Sequence, residues 1–403
     1  LATLQCENPA DWETMLNKTI SKVQTDKKAK QKTRQWWNSY WKRSYVFIDS
    51  GKIGSDYWKV GRNYQLFRYM LGCNAYGNEP TKFNGGLFTF DPVHIDSTRV
   101  FTPDFRLWGG GTMTAQNQRL VYFPMLKSGD FDMMKPQFDF YERMLDNAKL
   151  RTKVYWNHGG ACFSEQIENF GLPNLAEYDW KPRHEGFPVG VDSNPWLEYT
   201  WDTALEFALM MFDAHLYNNE PIVPHLPFIE SLLTFFDEHY SYLALRRGTN
   251  KLDGDGHLVL YPGSACETYK MATNATSTVA ALKVITEKLL ELPELDATQR
   301  EHWSGFLKRI PPISHREVQG KKTISPAKMW ERINNSEVPS LYPVYPWRIY
   351  GIGQPELQTA INTYLYDPEA IEFRSHIGWK QDNIFAACLG LTAVSYTHLT
   401  LPT

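Results

Sequence analysis

Apolar residues along most of this chain recur every three to four positions, the spacing that gathers them on one face of an α-helix. Lys27–Val46 is charged and then aromatic, with Trp36, Trp37, Tyr40 and Trp41 on neighbouring faces, and Val60–Leu71 carries Tyr64, Leu66, Phe67 and Met70 at helical spacing. Thr112–Lys127, Phe131–Leu150, Trp201–Tyr217, Leu226–Tyr240, Ser277–Leu292, Ala297–Ile310, Leu357–Tyr366 and Lys380–Val394 continue the series. Ser128-Gly129-Asp130 and Asn218-Asn219-Glu220-Pro221 are short breaks with helix-stop and helix-start chemistry. Other connections are long and rich in Gly, Pro and aromatics: 76–111, 155–196, 246–276 and 311–354. Helix, tight turn, helix, long loop is the rhythm of a toroid of helical hairpins, with functional loops on one rim. The pattern predicts an all-α fold, an (α/α)6 barrel incomplete at the C-terminus of this sequence. His257–Tyr261 alternates best as a strand and suggests a loop hairpin.

The same pattern divides the chain into a lead-in or linker over 1–26 and a barrel over 27–394. Residues 395–403 fit nothing before them and read as the translation of a sequencing adaptor, which would make the sequence a metagenomic fragment. An apolar fraction of 42% over 403 residues is ample for a core, and excludes a disordered or fibrous protein. A net charge of −3 offers no basic field for a nucleic acid, and no apolar run approaches a membrane span. Five scattered cysteines without C-x-x-C spacing argue against a disulfide framework and a zinc cluster, and the histidines show no metal spacing. No metal or cofactor is expected. The compositional excess lies in 14 Trp, 22 Tyr and 22 Phe, rings that suit both a core and the C–H faces of sugars.

A sugar-cleaving barrel needs two carboxyl groups across one sugar, one to protonate the leaving oxygen and one to activate water. Glu267, in Tyr261-Pro262-Gly263-Ser264-Ala265-Cys266-Glu267-Thr268-Tyr269, follows a small-residue turn that would admit substrate closely. Partial burial there would raise its pKa as a general acid requires, although a solvated loop glutamate fits equally. Asp382, in Gly378-Trp379-Lys380-Gln381-Asp382-Asn383, opens an apolar helix whose N-terminus would keep it ionised, as a base or as an ordinary cap. Asn84 and Trp108 stand in Gly-aromatic loops, and Trp108 and Trp379 could shape a subsite. Gln116, Asn117 and Arg119, at the start of a helix, could hold sugar hydroxyls or the water, or satisfy the barrel's own backbone. Glu165 and Glu168 follow the Gly159-Gly160 pair, and Glu206 interrupts an apolar helix. Cys162 beside His158 reads as a buried small residue rather than a nucleophile.

In this order the segments resemble the helical-barrel glycoside hydrolases related to family 95, inverting α-L-fucosidases and α-L-galactosidases, from about Thr81 to Asn383. Phe83-Asn84-Gly85-Gly86-Leu87-Phe88 is similar to that family's Gly-Leu/Ile-Trp loop. Asn117 to Pro124 is similar to its asparagine-bearing helix, and Gly160 to Gly171 to its substrate-binding loop, which would put Glu165 and Glu168 near the sugar. Pro262 to Glu267 is similar to its Pro-Ser-x-Ser-Pro-Glu motif, implying that Glu267 is the general acid. Gln381-Asp382-Asn383 is similar to the motif of its general base, implying that role for Asp382, with Gln381 beside it. Of the family's two water-binding asparagines only the second is matched, at Asn117; the first position is Ala115. Ser164 and Glu165 replace expected histidines, and Leu341 to Pro346 lacks histidine. The resemblance implies an inverting, exo-acting glycosidase acting on a carbohydrate outside the cell or in the periplasm, without metal or cofactor. A polysaccharide lyase drawing on His158, His376 or Tyr122, and a non-catalytic sugar-binding barrel, are the alternatives. Neither the sugar nor the oligomeric state is legible.

Overall fold

The computed structural model describes residues 6, 8–48, 52–74, 76–81, 97–98, 113–173, 185–375 and 380–392. Three helices come first: α1 (Pro9–Thr25), α2 (Ala29–Arg43) and α3 (Asp56–Asn74). The segment expected to be a lead-in is therefore largely helix, started by Asn8, whose side chain accepts from the Ala10 N–H. No residue of α1 is buried. Tyr40 of α2 and Arg68 and Leu71 of α3 are buried where these helices meet the rest of the molecule.

The barrel helices alternate between two environments, and composition decides which. Helices α4 (Ala115–Ser128), α7 (Thr203–Asn218) and α9 (Thr276–Glu291) are buried on most sides. Every residue of α7 from Thr203 to Ala214 is buried, which an all-round run such as Leu205, Phe207, Ala208, Leu209 and Met210 permits. Alternating with them in sequence, α5 (Lys135–Arg143), α6 (Leu145–Trp156), α8 (Leu226–Arg246) and α10 (Ala297–Arg309) bury one face only. α7 packs against α4, α8 and α9, and α9 against α10, so inner and outer helices form two layers of hairpins. Helices α11 (Leu357–Tyr366), α12 (Pro368–Glu372) and α13 (Asp382–Cys388) follow. The result is the helical barrel that the periodicity predicts. Among the described residues no helix is long and apolar enough to cross a membrane.

Local chemistry moves several boundaries. The single helix expected over Phe131–Leu150 is broken into a 3-10 turn, α5 and α6, because Pro136 fits only a first helical turn and Met144 closes one helix while opening the next. The helix expected from Lys380 begins at Asp382 and ends at Cys388. His257–Tyr261 forms no strand. Its backbone donors go elsewhere, Leu258 N–H to Arg309 O at 2.8 Å and Leu260 N–H to Asn274 Oδ1 at 2.9 Å. The strands that do form lie in the long loops. β1 (Met113–Thr114) pairs with β2 (Gln166–Ile167), and β5 (His315–Val318) with β6 (Lys321–Ile324). β3 (Gly263–Ala265), β4 (Tyr269–Ala272) and β7 (Arg332–Ile333) make a three-stranded antiparallel sheet.

The Gly159-Gly160 pair is explained by packing. Gly160 has φ of 81°, and a Cβ there would lie 2.2 Å from the Phe235 backbone nitrogen. Gly159 N–H donates to Glu238 Oε2 at 2.6 Å. Gly160→Ala is expected to cost at least about 1–3 kcal/mol through this overlap, read as a lower denaturant midpoint with an unchanged slope.

Candidate active site

Glu267 stands in the turn between β3 and β4. Cys266 before it takes φ of 53°, a left-handed conformation unusual for a residue with a side chain, and this turns Glu267 out of the strand. The sheet is braced from behind by the buried Lys270, whose Nζ donates to Trp196 O at 2.5 Å, Thr200 Oγ1 at 3.0 Å and Ser264 Oγ at 2.9 Å. All its partners are neutral oxygens, and burial lowers Lys270 to about 8.

The loop after β7 closes over Glu267. Asn335 Nδ2 donates to Glu267 Oε2 at 2.8 Å, and Glu267 N–H donates to Glu337 Oε2 at 3.3 Å. Glu337, 4% exposed, also accepts at Oε1 from the Tyr342 hydroxyl at 3.0 Å. Burial, and next the Glu337 carboxylate, push Glu267 up to about 7, against the pull of Lys270, the Asn335 hydrogen bond and Arg119. An acid protonated near neutrality results.

Asp382 begins α13 and is 1% exposed, with Oδ2 accepting from Ser375 N–H at 3.1 Å. It lines one narrow cleft with Glu337, Tyr342, Lys380, Gln381 and Phe385. Lys380 ties this turn to the Glu337 loop, donating to Ser336 O, to Ser336 Oγ at 2.8 Å and to Phe373 O at 3.1 Å. Glu267 and Asp382 are thus brought to one region, with Glu337 between them.

Below, Tyr342 joins this cleft to a second small cavity lined by Gln116, Arg119, Asp202, Thr203, Glu206 and Cys266 among others. Arg119 donates to the Tyr342 hydroxyl and pairs with Glu206 at 3.2 Å, both ion-pair partners nearly inaccessible. Burial raises Glu206 to about 7, against Arg119 and reinforced by Asp202 and Glu337. Glu165, fully buried, accepts the Gln116 N–H at 2.6 Å and is held well above the usual carboxylate range, by burial first. A roomier hollow exists beside α8, but its acids are engaged structurally, Asp237 with Arg309 and Glu238 with Gly159.

The expected site residues therefore fall into groups. Asp382 and Gln381 line the first cleft and Gln116, Arg119 and Glu206 the second, while Glu267 and Glu165 line neither and reach this region through Glu337 and Gln116. Asn117 is half-buried on α4 and lines neither cavity, since Gln116 and Arg119 occupy the helix face turned inward. Glu168 does not join them either: its backbone closes a tight turn, N–H to Leu172 O and C=O to Gly171 N–H, both at 2.8 Å. Asn84, Trp108, Trp379 and His376 lie outside the described residues. Tyr122 is buried and accepts the Thr81 N–H at 2.8 Å, and His158 pairs with His239 at 2.9 Å, away from these acids. Cys162 meets Arg151 at 2.8 Å, and burial pushes its thiol up to about 12. Sequence reading missed Glu337, Asn335 and Tyr342. Their signal was the run Asn334-Asn335-Ser336-Glu337 directly before the Leu341–Pro346 stretch. Away from this region, Asp253, Asp255 and His257 bring ligand-type atoms within 4.8 Å of one another, but Asp253 Oδ1 already accepts two N–H groups of its own turn.

Residues 1–46 match the N-terminal model of a family described as a domain of unknown function (DUF5703), a match that crosses the boundary expected at residue 26. No curated protein matches the chain. Its structure is similar to that of a protein named "Putative kojibiose phosphorylase from human microbiome", with a TM-score of 0.62 at 13% identity, covering 97% of this chain and 51% of that one. The chain spans about half the length of that neighbour. At such identity the likeness shows the fold, a helical barrel.

Proposed function

We propose that this barrel is an inverting, exo-acting glycoside hydrolase related to family 95, in which Glu267 protonates the glycosidic oxygen and Asp382 deprotonates the attacking water. The observation that carries the reading is Glu267 itself: a half-buried carboxyl raised to about 7, on a hairpin joined through one loop to a second buried acid. Gln116, Arg119, Glu165, Glu206 and Gln381 supply polar groups around that region, and the sequence adds Asn84, Trp108 and Trp379 as sugar-contact candidates.

Water is taken as the attacking species because the cations nearest the two cavities among the described residues, Arg119, Lys270 and Lys380, are each already engaged by protein oxygens and leave no free cation there for a phosphate dianion. The test is incubation with p-nitrophenyl glycosides and plant and microbial polysaccharides, with and without inorganic phosphate, followed by proton NMR of the first sugar released. We expect free sugar of inverted anomeric configuration at a rate independent of phosphate. A sugar 1-phosphate, an unsaturated product or retained configuration would each defeat the proposal.

A further inference from the structure

We propose that Asn335 and Glu337 are positioning residues for Glu267, which together direct the proton of that carboxyl to Oε1. The inference rests on the reading of Glu267 as the acid, and its evidence is the polarity of the hydrogen bonds around it.

An amide N–H binds an oxygen that has a lone pair to give. Asn335 Nδ2 donates to Glu267 Oε2 at 2.8 Å, so in neutral Glu267 the hydrogen belongs on Oε1. Glu337 meets donors at both oxygens, the Tyr342 hydroxyl at Oε1 and the Glu267 N–H at Oε2. Tyr342 has one hydrogen, and its own oxygen accepts from Arg119, so the direction of donation runs from Arg119 through Tyr342 to Glu337. Two donors suit an ionised Glu337, and a carboxylate beside Glu267 resists a second negative charge there.

The loop is built to hold this spacing. Asn334 N–H donates to Thr268 O at 2.8 Å and Asn334 Nδ2 to Pro195 O at 2.7 Å. Glu337 N–H donates to Thr268 Oγ1 at 2.9 Å, and Lys380 grips Ser336. The remaining charges facing Glu267 are Lys270 from its own hairpin, Arg119 from α4 and Glu165 from beside β2; those facing Glu337 are Arg119, Lys270, Lys380, Glu206 from α7 and Asp382. Lys270 and Arg119 oppose the effect of Glu337 on Glu267, and Glu165 reinforces it.

The test is a carbon-13 NMR titration of the full chain labelled at glutamate carboxyls, with the Glu267 resonance assigned by its loss in Glu267→Gln. The wild-type resonance is expected to titrate near 7. In Glu337→Gln the midpoint should fall by about one pH unit, because the like charge is gone. In Asn335→Ala it should rise, because the anion loses a donor, while Glu337→Asp should stay close to wild type. An unmoved midpoint in Glu337→Gln, or shifts of one sign in both single variants, overturns the proposal. Should Glu337→Gln not fold, the Asn335→Ala and Glu337→Asp titrations decide it by the same signs. No substrate enters this measurement. Failure of the hydrolase reading would show separately, as full turnover by Glu267→Gln, whatever the resonance does.

Discussion

Glu267→Gln is expected to lower turnover of an unactivated glycoside by about 10³-fold, within the range lost when a general acid is removed. The amide is nearly isosteric, and its one oxygen can go on accepting from Asn335 Nδ2, so unfolding should be unchanged within about 0.5 kcal/mol. The loss should depend on the leaving group. A dinitrophenolate departs without a proton, so a 2,4-dinitrophenyl glycoside should lose far less than an alkyl glycoside. A uniform loss on both would point to misfolding or to a role other than proton donation. The pH dependence follows from the same carboxyl. Its protonated form is the active one, and with Glu267 raised to about 7 the kcat/KM of the wild-type protein should fall as pH rises through that value. A rate still climbing at pH 8 would remove Glu267 from the role.

How much of this was readable in sequence follows from the physics of each signal. The inner helices were legible because their burial is written in unbroken runs such as Phe207–Phe212, and the outer ones because a single apolar stripe leaves polar residues between. Glu267 stood out as a candidate because Gly263, Ser264 and Ala265 before it would admit a substrate closely. The hairpin that presents it was not. The backbone partners of β3 and β4 lie across a positive-φ Cys266 and, at β7, more than fifty residues downstream, and neither fact has a local signature. Glu337 escaped for a related reason. A glutamate in a polar run looks solvated, and only the tertiary partners Tyr342, Thr268 and Glu267 make it buried. Glu168 misled in the opposite direction: it sits three residues from Glu165 in what the sequence predicts to be one long loop, but the strand at Gln166–Ile167 and the turn at Gly171 separate the two.

The second large effect is expected at the seam between the N-terminal helices and the barrel. Asp130→Ala should cost about 3–5 kcal/mol, because it leaves a guanidinium buried without its counter-charge. Arg68 is 2% exposed and Asp130 fully buried, and Arg68 Nη2 lies 2.9 and 2.8 Å from the two carboxylate oxygens. Ser128 and Arg43 complete the carboxylate's partners, at 2.5 and 3.3 Å. The Arg68 guanidinium also lies 4.1 Å from the Tyr40 ring centroid, so α2, α3 and the end of α4 share one ionic knot. Such a pair need not add net stability, since removing two ions from water offsets most of their attraction. The large loss belongs to the orphaned charge, so Asp130→Leu combined with Arg68→Met should be far less destabilised than Asp130→Ala alone. Trp36 meets Trp37 edge-on and Trp37 stacks on Trp41 at this seam, so their emission, taken as the difference from a variant with the three changed to Phe, gives a local readout beside global unfolding. If their emission shifts to the red at lower denaturant than the helical signal is lost, α1–α3 separate before the barrel opens. A single coincident transition at the lower midpoint would instead make the knot part of one cooperative unit. A loss below about 1 kcal/mol, the scale of an exposed pair, would mean that water reaches Arg68 and that the burial argued here is wrong.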